Sequence, residues 1–326
     1  MQNLKKHMTK HIVLFVVLLA VANVKAQTPR ALEAPRGYYQ QLQKLSTAPA
    51  GKDLDIDKLK FVTEPSVIDR RLSLKPVFLT DSKVDDFVLP AMPANSSEQT
   101  KAEINYLLGL QANRTADDIE RSKYMAGVYY NLHITSEDEN YETYQRNLFF
   151  IGRSIGTWFN YKELPKTAQL MARVWRDASY FIWALKFKYA RVRPYVLDEQ
   201  LENLEETNWA AYPSGHASNS YINAFIYREL APEYADVFMK DAYDMAHSRE
   251  ILGVHYPSDS ESGRQFAHQF VTKLFQNPEF LKEFEEVKKE WKEKANETFA
   301  RPAIKKKGEQ KTSCTTRASF CSKTCN

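Results

Sequence analysis

The chain has 326 residues, 43% of them hydrophobic and 26% charged, with a formal net charge of +4. That length and apolar content suit one large domain or two small ones with a real core. The positive balance sits at the ends: residues 1–26 hold four lysines and no acid and residues 301–326 hold seven cations and one acid, so the 27–300 body is −6 and charge gives no argument for nucleic-acid binding.

Residues 1–26 read as a secretory signal peptide. Lys5, Lys6 and Lys10 precede an apolar run from Ile12 to Val24, and Val24-Lys25-Ala26 offers a cleavage site. The run is shorter than the roughly 20 residues of a spanning helix, and no later stretch reaches that length. The mature protein is therefore expected to be exported and free of the membrane. Residues 27–95 read as an irregular arm, broken by Pro29, Pro35, Pro49, Pro65, Pro76, Pro90 and Pro93. Its apolar patches Val77-Phe78-Leu79 and Phe87-Val88-Leu89 suggest that it lies against the rest of the chain.

Residues 96–298 read as a single-domain all-α helical bundle. Glycine is scarce, helix formers are common, and no stretch alternates with period two for long enough to make a sheet. Ser96-Ser97-Glu98 marks the first helix start, and Thr115-Ala116-Asp117-Asp118 caps a second helix running to about Leu132. A third is expected from about Glu137 to Asn160. Pro165 opens a fourth, where Leu170, Val174, Ala178, Phe181, Ile182 and Leu185 recur every three or four residues to about Tyr189. Further helices are expected over 214–230, 232–253 and 258–275, and a highly charged surface helix over 280–297. Residues 299–326 read as a basic, disordered tail that carries all three cysteines, Cys314, Cys321 and Cys325, with no metal-binding spacing and no catalytic role.

Three short pieces carry chemistry. Lys186 and Arg193 are seven residues apart, with Pro194 next; the lysine leaves the last turns of a helix and the arginine the loop that follows. Both can converge on one anion, whereas Lys188 and Arg191 read as ordinary solvated charges. Pro213-Ser214-Gly215-His216 precedes an apolar helix; serine can cap it, glycine lets a ligand approach the backbone, and free amides at a helix start attract anions. In Ser248-Arg249-Glu250-Ile251-Leu252-Gly253-Val254-His255-Tyr256-Pro257-Ser258-Asp259, the carboxylate follows the histidine by four, so it can fix the imidazole tautomer and leave the other nitrogen as a free lone pair. That makes His255 a candidate nucleophile or base. Read singly, each piece also fits a bland use: an ordinary cap with a surface histidine, or a structural His-Asp pair. His247, His133 and His268 fall outside any such pattern, and Trp183 and Trp209 suit either an entrance or a core.

Together, Lys186-x6-Arg193-Pro194, Pro213-Ser214-Gly215-His216 and Ser248-Arg249-x5-His255-x3-Asp259 resemble the three-part signature of the phosphatidic acid phosphatase type 2 superfamily. The flanking Ala211-Tyr212-Pro213 and His255-Tyr256-Pro257-Ser258-Asp259 resemble the bacterial class A non-specific acid phosphatases most. The signature covers about 75 residues and leaves the arm and the tail uncovered. The resemblance implies that His255 attacks phosphorus to form a phosphohistidine, that Asp259 orients it, and that His216 protonates the leaving alcohol and then activates water. It implies that Lys186, Arg193, Arg249, Ser214 and Gly215 hold the phosphoryl oxygens, with no metal and no cofactor. The implied partner is a small phosphomonoester, with no nucleic acid and no membrane insertion after signal cleavage; homo-oligomers and phosphotransfer to alcohols are compatible. A periplasmic or secreted address follows. Rival readings are a vanadium-dependent haloperoxidase, a lipid-phosphate phosphatase and a non-catalytic phosphate binder.

Overall fold

Helix formers punctuated by proline dominate the chain, and the computed structural model joins them as helices and turns, with no strand among the described residues, 54–128 and 134–300. The expected leader, residues 27–53 of the arm, His133 and the basic tail with its cysteines lie outside the described residues.

The 54–95 segment carries two short helices, α1 (Leu54–Asp57) and α2 (Pro65–Arg71), and a 3-10 turn over Val84–Asp86. Both apolar patches do dock: Phe78, Leu79, Phe87 and Leu89 are buried, while Val88 between the last two points outward. A polar latch accompanies them. The Asp177 carboxylate accepts the backbone N–H groups of Val77, Phe78 and Leu79 at 2.6, 2.8 and 2.8 Å, which satisfies donors that burial would otherwise leave unpaired.

α3 (Glu98–Asn113) begins after Ser97, whose hydroxyl accepts from the Thr100 amide at 3.1 Å. α4 (Ala116–Ala126) begins at a Thr115/Asp118 capping box and ends at Gly127, short of the expected Leu132. The expected 137–160 helix shrinks to α5 (Tyr141–Leu148). It stops at Leu148, and in the turns that follow Gly152 takes a φ of 93° that other residues avoid and donates its N–H to Asp241.

The remaining helices are α6 (Pro165–Tyr189), α7 (Pro194–Leu197), α8 (Gly215–Leu230), α9 (Ala235–Ile251), α10 (Pro257–Leu274) and α11 (Pro278–Ala300). α8 is the central element: it is buried nearly all round, flanked by α9 and α10, with α6 alongside. The expected helix starts at Pro165, at Ser214 and near Pro257 all hold. α11 corrects the expectation of a surface helix. Phe280, Phe284, Val287 and Trp291 form a buried stripe at helical spacing that packs beside α6, and only the charged face is outside. Glu290 on α11 also accepts from the Lys166 and Thr167 amides at the start of α6, where a negative charge is favoured.

Candidate active site

The apolar stripe of α6 decides where Lys186 goes. Ile182 and Leu185 are buried, and Lys186, one turn after Ile182, follows them inward, while Lys188 sits on the other face and pairs with Asp85 at the surface. The Lys186 ammonium donates to the carbonyls of Ala210, Ala211 and Pro213 at 2.8, 3.2 and 2.7 Å. Burial, with Arg193 close by, holds its pKa well below the usual lysine range.

α6 stops at Ala190, which adopts the left-handed conformation (φ 49°). Arg193 then stands in extended backbone (φ −76°, ψ 156°), as the residue before a proline prefers. It is buried and donates to Trp209 O at 3.0 Å and to Val254 O at 2.6 Å, and its Nη1 lies 3.0 Å from His255 Nε2. Burial, with Arg249 nearby, pushes this guanidinium down to about 10.

Ser214 caps α8, its Oγ accepting from the Ala217 amide at 3.4 Å. Gly215 opens the helix. A Cβ there would meet nothing closer than 3.8 Å, so packing does not demand the glycine; its effect is to leave the backbone bare at a helix start. Gly263 on α10 is different, since a Cβ there would lie 2.9 Å from Ser214 O. That close crossing sets α10 against the start of α8, and the Ser214 amide donates to Asp259 O at 2.9 Å. His216 donates from Nε2 to Ala126 O at 3.3 Å, which joins α8 to the end of α4. Burial and Arg249 hold the His216 pKa well below 6.5.

Arg249 is buried near the end of α9, with Nη2 2.5 Å from Glu205 Oε2. Its Nε and Nη1 make no hydrogen bond. Gly253, at φ 73° and tight against Glu202 O, turns the chain from α9 toward His255. His255 Nδ1 lies 2.9 Å from Asp259 Oδ2, which also accepts from the Tyr256 amide at 3.0 Å. Burial, followed by Arg193, holds the His255 pKa well below 6.5. Burial also works against ionising Asp259, yet Arg191 and the His255 ring outweigh it and hold the carboxyl at about 2.

Lys186, Gly215, His216, Arg249 and His255 converge on the lining of one small pocket, of about 60 Å³. Arg193, Ser214 and Asp259 stand immediately behind it through the bonds above. All eight expected site residues are thus gathered within one constellation. Trp183 and Trp209 form the apolar wall of the pocket, edge to face at 5.6 Å, with the Arg71 guanidinium 4.4 Å from the Trp183 ring. Among the described residues, no group of three or more His, Cys, Asp or Glu is arranged to hold a metal ion; the charge collected here is cationic, which suits an oxyanion.

Three charged residues escaped the sequence reading. Arg191, expected as a solvated charge, is fully buried and lies 2.7 Å from Asp259 Oδ1 and 3.3 Å from Glu103 Oε2. Its two partners come from α10 and α3, and nothing in the local sequence separates it from Lys188. Glu103 was read only as part of a helix; burial pushes its carboxyl up to about 7 against the pull of Arg191. Glu205 lines the pocket from the loop between α7 and α8.

No family model matches the chain. It is 30% identical over 138 residues to a non-specific acid phosphatase of Providencia stuartii, covering 40% of this chain and 55% of that protein. It is 29% identical over 148 residues to a non-specific acid phosphatase of Salmonella typhi, covering 44% and 59%. The chain thus spans little more than half the length of these relatives. Among solved structures, a bacterial vanadium-dependent iodoperoxidase aligns with a TM-score of 0.48 at 17% identity, over 72% of this chain and 63% of that one. Its three motifs, which converge at one pocket, resemble the signature of the phosphatidic acid phosphatase type 2 superfamily, and over part of its length the chain is similar to these acid phosphatases.

Proposed function

We propose that the protein is an exported acid phosphatase that hydrolyses phosphomonoesters through a phosphohistidine at His255. One observation carries this reading: His255 is bound to Asp259 through Nδ1, which leaves Nε2 as its lone-pair nitrogen, and it lines a pocket shared with His216, Lys186 and Arg249. A mere phosphate binder needs the cations but neither histidine. The name of the relatives, non-specific acid phosphatase, supports the same chemistry.

In the first step, the Nε2 lone pair attacks phosphorus, the P–O bond to the alcohol breaks, and the leaving oxygen takes a proton from His216. In the second, His216 takes a proton from water, the water oxygen attacks phosphorus, and the P–N bond breaks to release phosphate and the free imidazole. Lys186, Arg193 and Arg249 supply the positive charge that offsets the phosphoryl oxygens, with the Ser214 hydroxyl and the Gly215 amide beside them. Asp259 holds the imidazolium character that develops at His255.

Hydrolysis of 4-nitrophenyl phosphate from about pH 4 to 9, with EDTA or vanadate added and His255→Ala in parallel, tests the proposal. Activity that peaks in mild acid, survives EDTA, is blocked by vanadate and is lost in the variant supports it. A folded protein with no turnover rejects it and directs the next assay to bromide and peroxide.

A further inference from the structure

Behind the pocket, four ionisable side chains run in a line from α3 to the His255 ring, and none of the first three is exposed at all. Glu103 Oε2 lies 3.3 Å from Arg191 Nη2; Arg191 Nη1 lies 2.7 Å from Asp259 Oδ1; Asp259 Oδ2 lies 2.9 Å from His255 Nδ1. The two oxygens of Asp259 are therefore divided, one to the arginine and one to the imidazole. Arg191 is gripped from further sides. Its Nη1 also donates to Ser258 Oγ at 2.8 Å, and its guanidinium lies over the Tyr256 ring at 3.7 Å. Ser258 in turn donates from both its amide and its hydroxyl to Glu103, each at 2.8 Å.

We propose, resting on the phosphatase reading above, that Arg191 is a positioning residue: it clamps Asp259 from behind, so that the carboxylate orients the His255 ring without drawing a proton onto it. A carboxylate that faces only a histidine stabilises the imidazolium and would leave the nucleophile protonated in acid. A carboxylate already shared with a guanidinium is a weaker acceptor. The ring stays neutral, and Nε2 keeps its lone pair, in the acidic range where His216 must hold a proton. Arg191 does this without lining the pocket. The other charges that face His255 come from separate elements: Lys186 from α6, Arg193 from the segment before α7, Glu205 from the 198–213 loop, His216 from α8 and Arg249 from α9. All but Glu205 are cationic or become so in acid, and Arg191 is the group that acts on His255 through Asp259.

A buried ion network can also serve packing alone, so the test reads the histidine itself. The ¹⁵N signals of His255, assigned with His255→Asn, are titrated in the wild type, Arg191→Lys and Arg191→Met, alongside pH profiles of kcat and KM for 4-nitrophenyl phosphate. In Arg191→Met the His255 titration moves up by about one pH unit, and the acidic limb of kcat moves with it. KM changes by less than about threefold, and Arg191→Lys lies in between. Folded variants whose His255 titrates as in the wild type overturn the proposal. Should Arg191→Met fail to fold, Arg191→Lys decides by the same reading. A wild type without phosphatase activity rejects the proposed function, while the titration still decides the clamp.

Discussion

Arg193 Nη1 lies 3.0 Å from His255 Nε2, and this contact settles the protonation of the ring. A guanidinium has donors only, so Nε2 accepts and the single ring proton sits on Nδ1, facing Asp259. The same arginine also donates to Trp209 O, Val254 O and Ala210 O, so four bonds hold its plane. In the proposed mechanism, the substrate oxygens take over the Nη1 donor before attack and release the lone pair. Lysine has one compact charge and cannot reach these partners together. Arg193→Lys is expected to lower kcat/KM by about a hundredfold or more, with a normal thermal melt; a loss under about threefold would remove Arg193 from this role.

The pH dependence has a definite sign. Burial and Arg193 hold the His255 pKa well below 6.5, so the proposed nucleophile stays neutral into acid. Burial and Arg249 likewise depress His216, which therefore sheds its proton early as pH rises unless bound phosphate helps to hold it. Activity is expected to be bell-shaped with its maximum on the acid side of ordinary histidine titration, and to be at least about tenfold lower at about pH 8 than at about pH 5. A flat steady-state profile across that range contradicts these roles.

Glu205 places a carboxylate in the pocket, 2.5 Å from Arg249 Nη2, while Arg249 Nε and Nη1 make no hydrogen bond. A phosphate entering there meets the cation and the acid together. Glu205→Gln keeps an oxygen for Arg249 and removes the like charge. Its KM for 4-nitrophenyl phosphate, and its inhibition constant for inorganic phosphate, are expected to fall about threefold to tenfold. Weaker binding would mean that Glu205 chiefly holds Arg249 in place.

Asp177 is the anchor of the 77–79 segment, through three backbone N–H groups in a region where the apolar side chains are buried. Asp177→Ala leaves those donors unpaired and is expected to cost about 3 kcal/mol of unfolding free energy in urea. Limited proteolysis should then cut within residues 54–95 before the rest of the chain, whereas Asp177→Asn, which retains an acceptor, should resist better. Equal resistance in all three proteins would show that apolar contacts alone hold the segment.

The helical class, most helix starts and the eight candidate residues gathered at one pocket were legible because each depends on neighbours in the chain. Proline at a first turn, a hydroxyl at a cap, and spacings of seven and four are local facts, and the Ile182–Leu185 stripe already points Lys186 inward. The path after α5 was not legible, because the helix stops at Leu148 and the Gly152 amide beyond it is held by Asp241, 89 residues later. Nor was the inner face of α11: its charges mask an apolar stripe whose value depends on α6 lying beside it. Arg191 and Lys188 show the division most clearly. They are cations three residues apart, one at the surface with Asp85 and the other sealed between Glu103 and Asp259. Chain periodicity sets which way a side chain leaves its own element, but an ion survives burial only where opposite charge and hydrogen-bond partners arrive from elsewhere. The sequence by itself determined the helices, the chemical groups gathered at the candidate site and the His255–Asp259 pair; the tertiary structure alone decided which charges are buried and which partners Arg191, Arg193 and Lys186 find, because those partners come from distant parts of the chain.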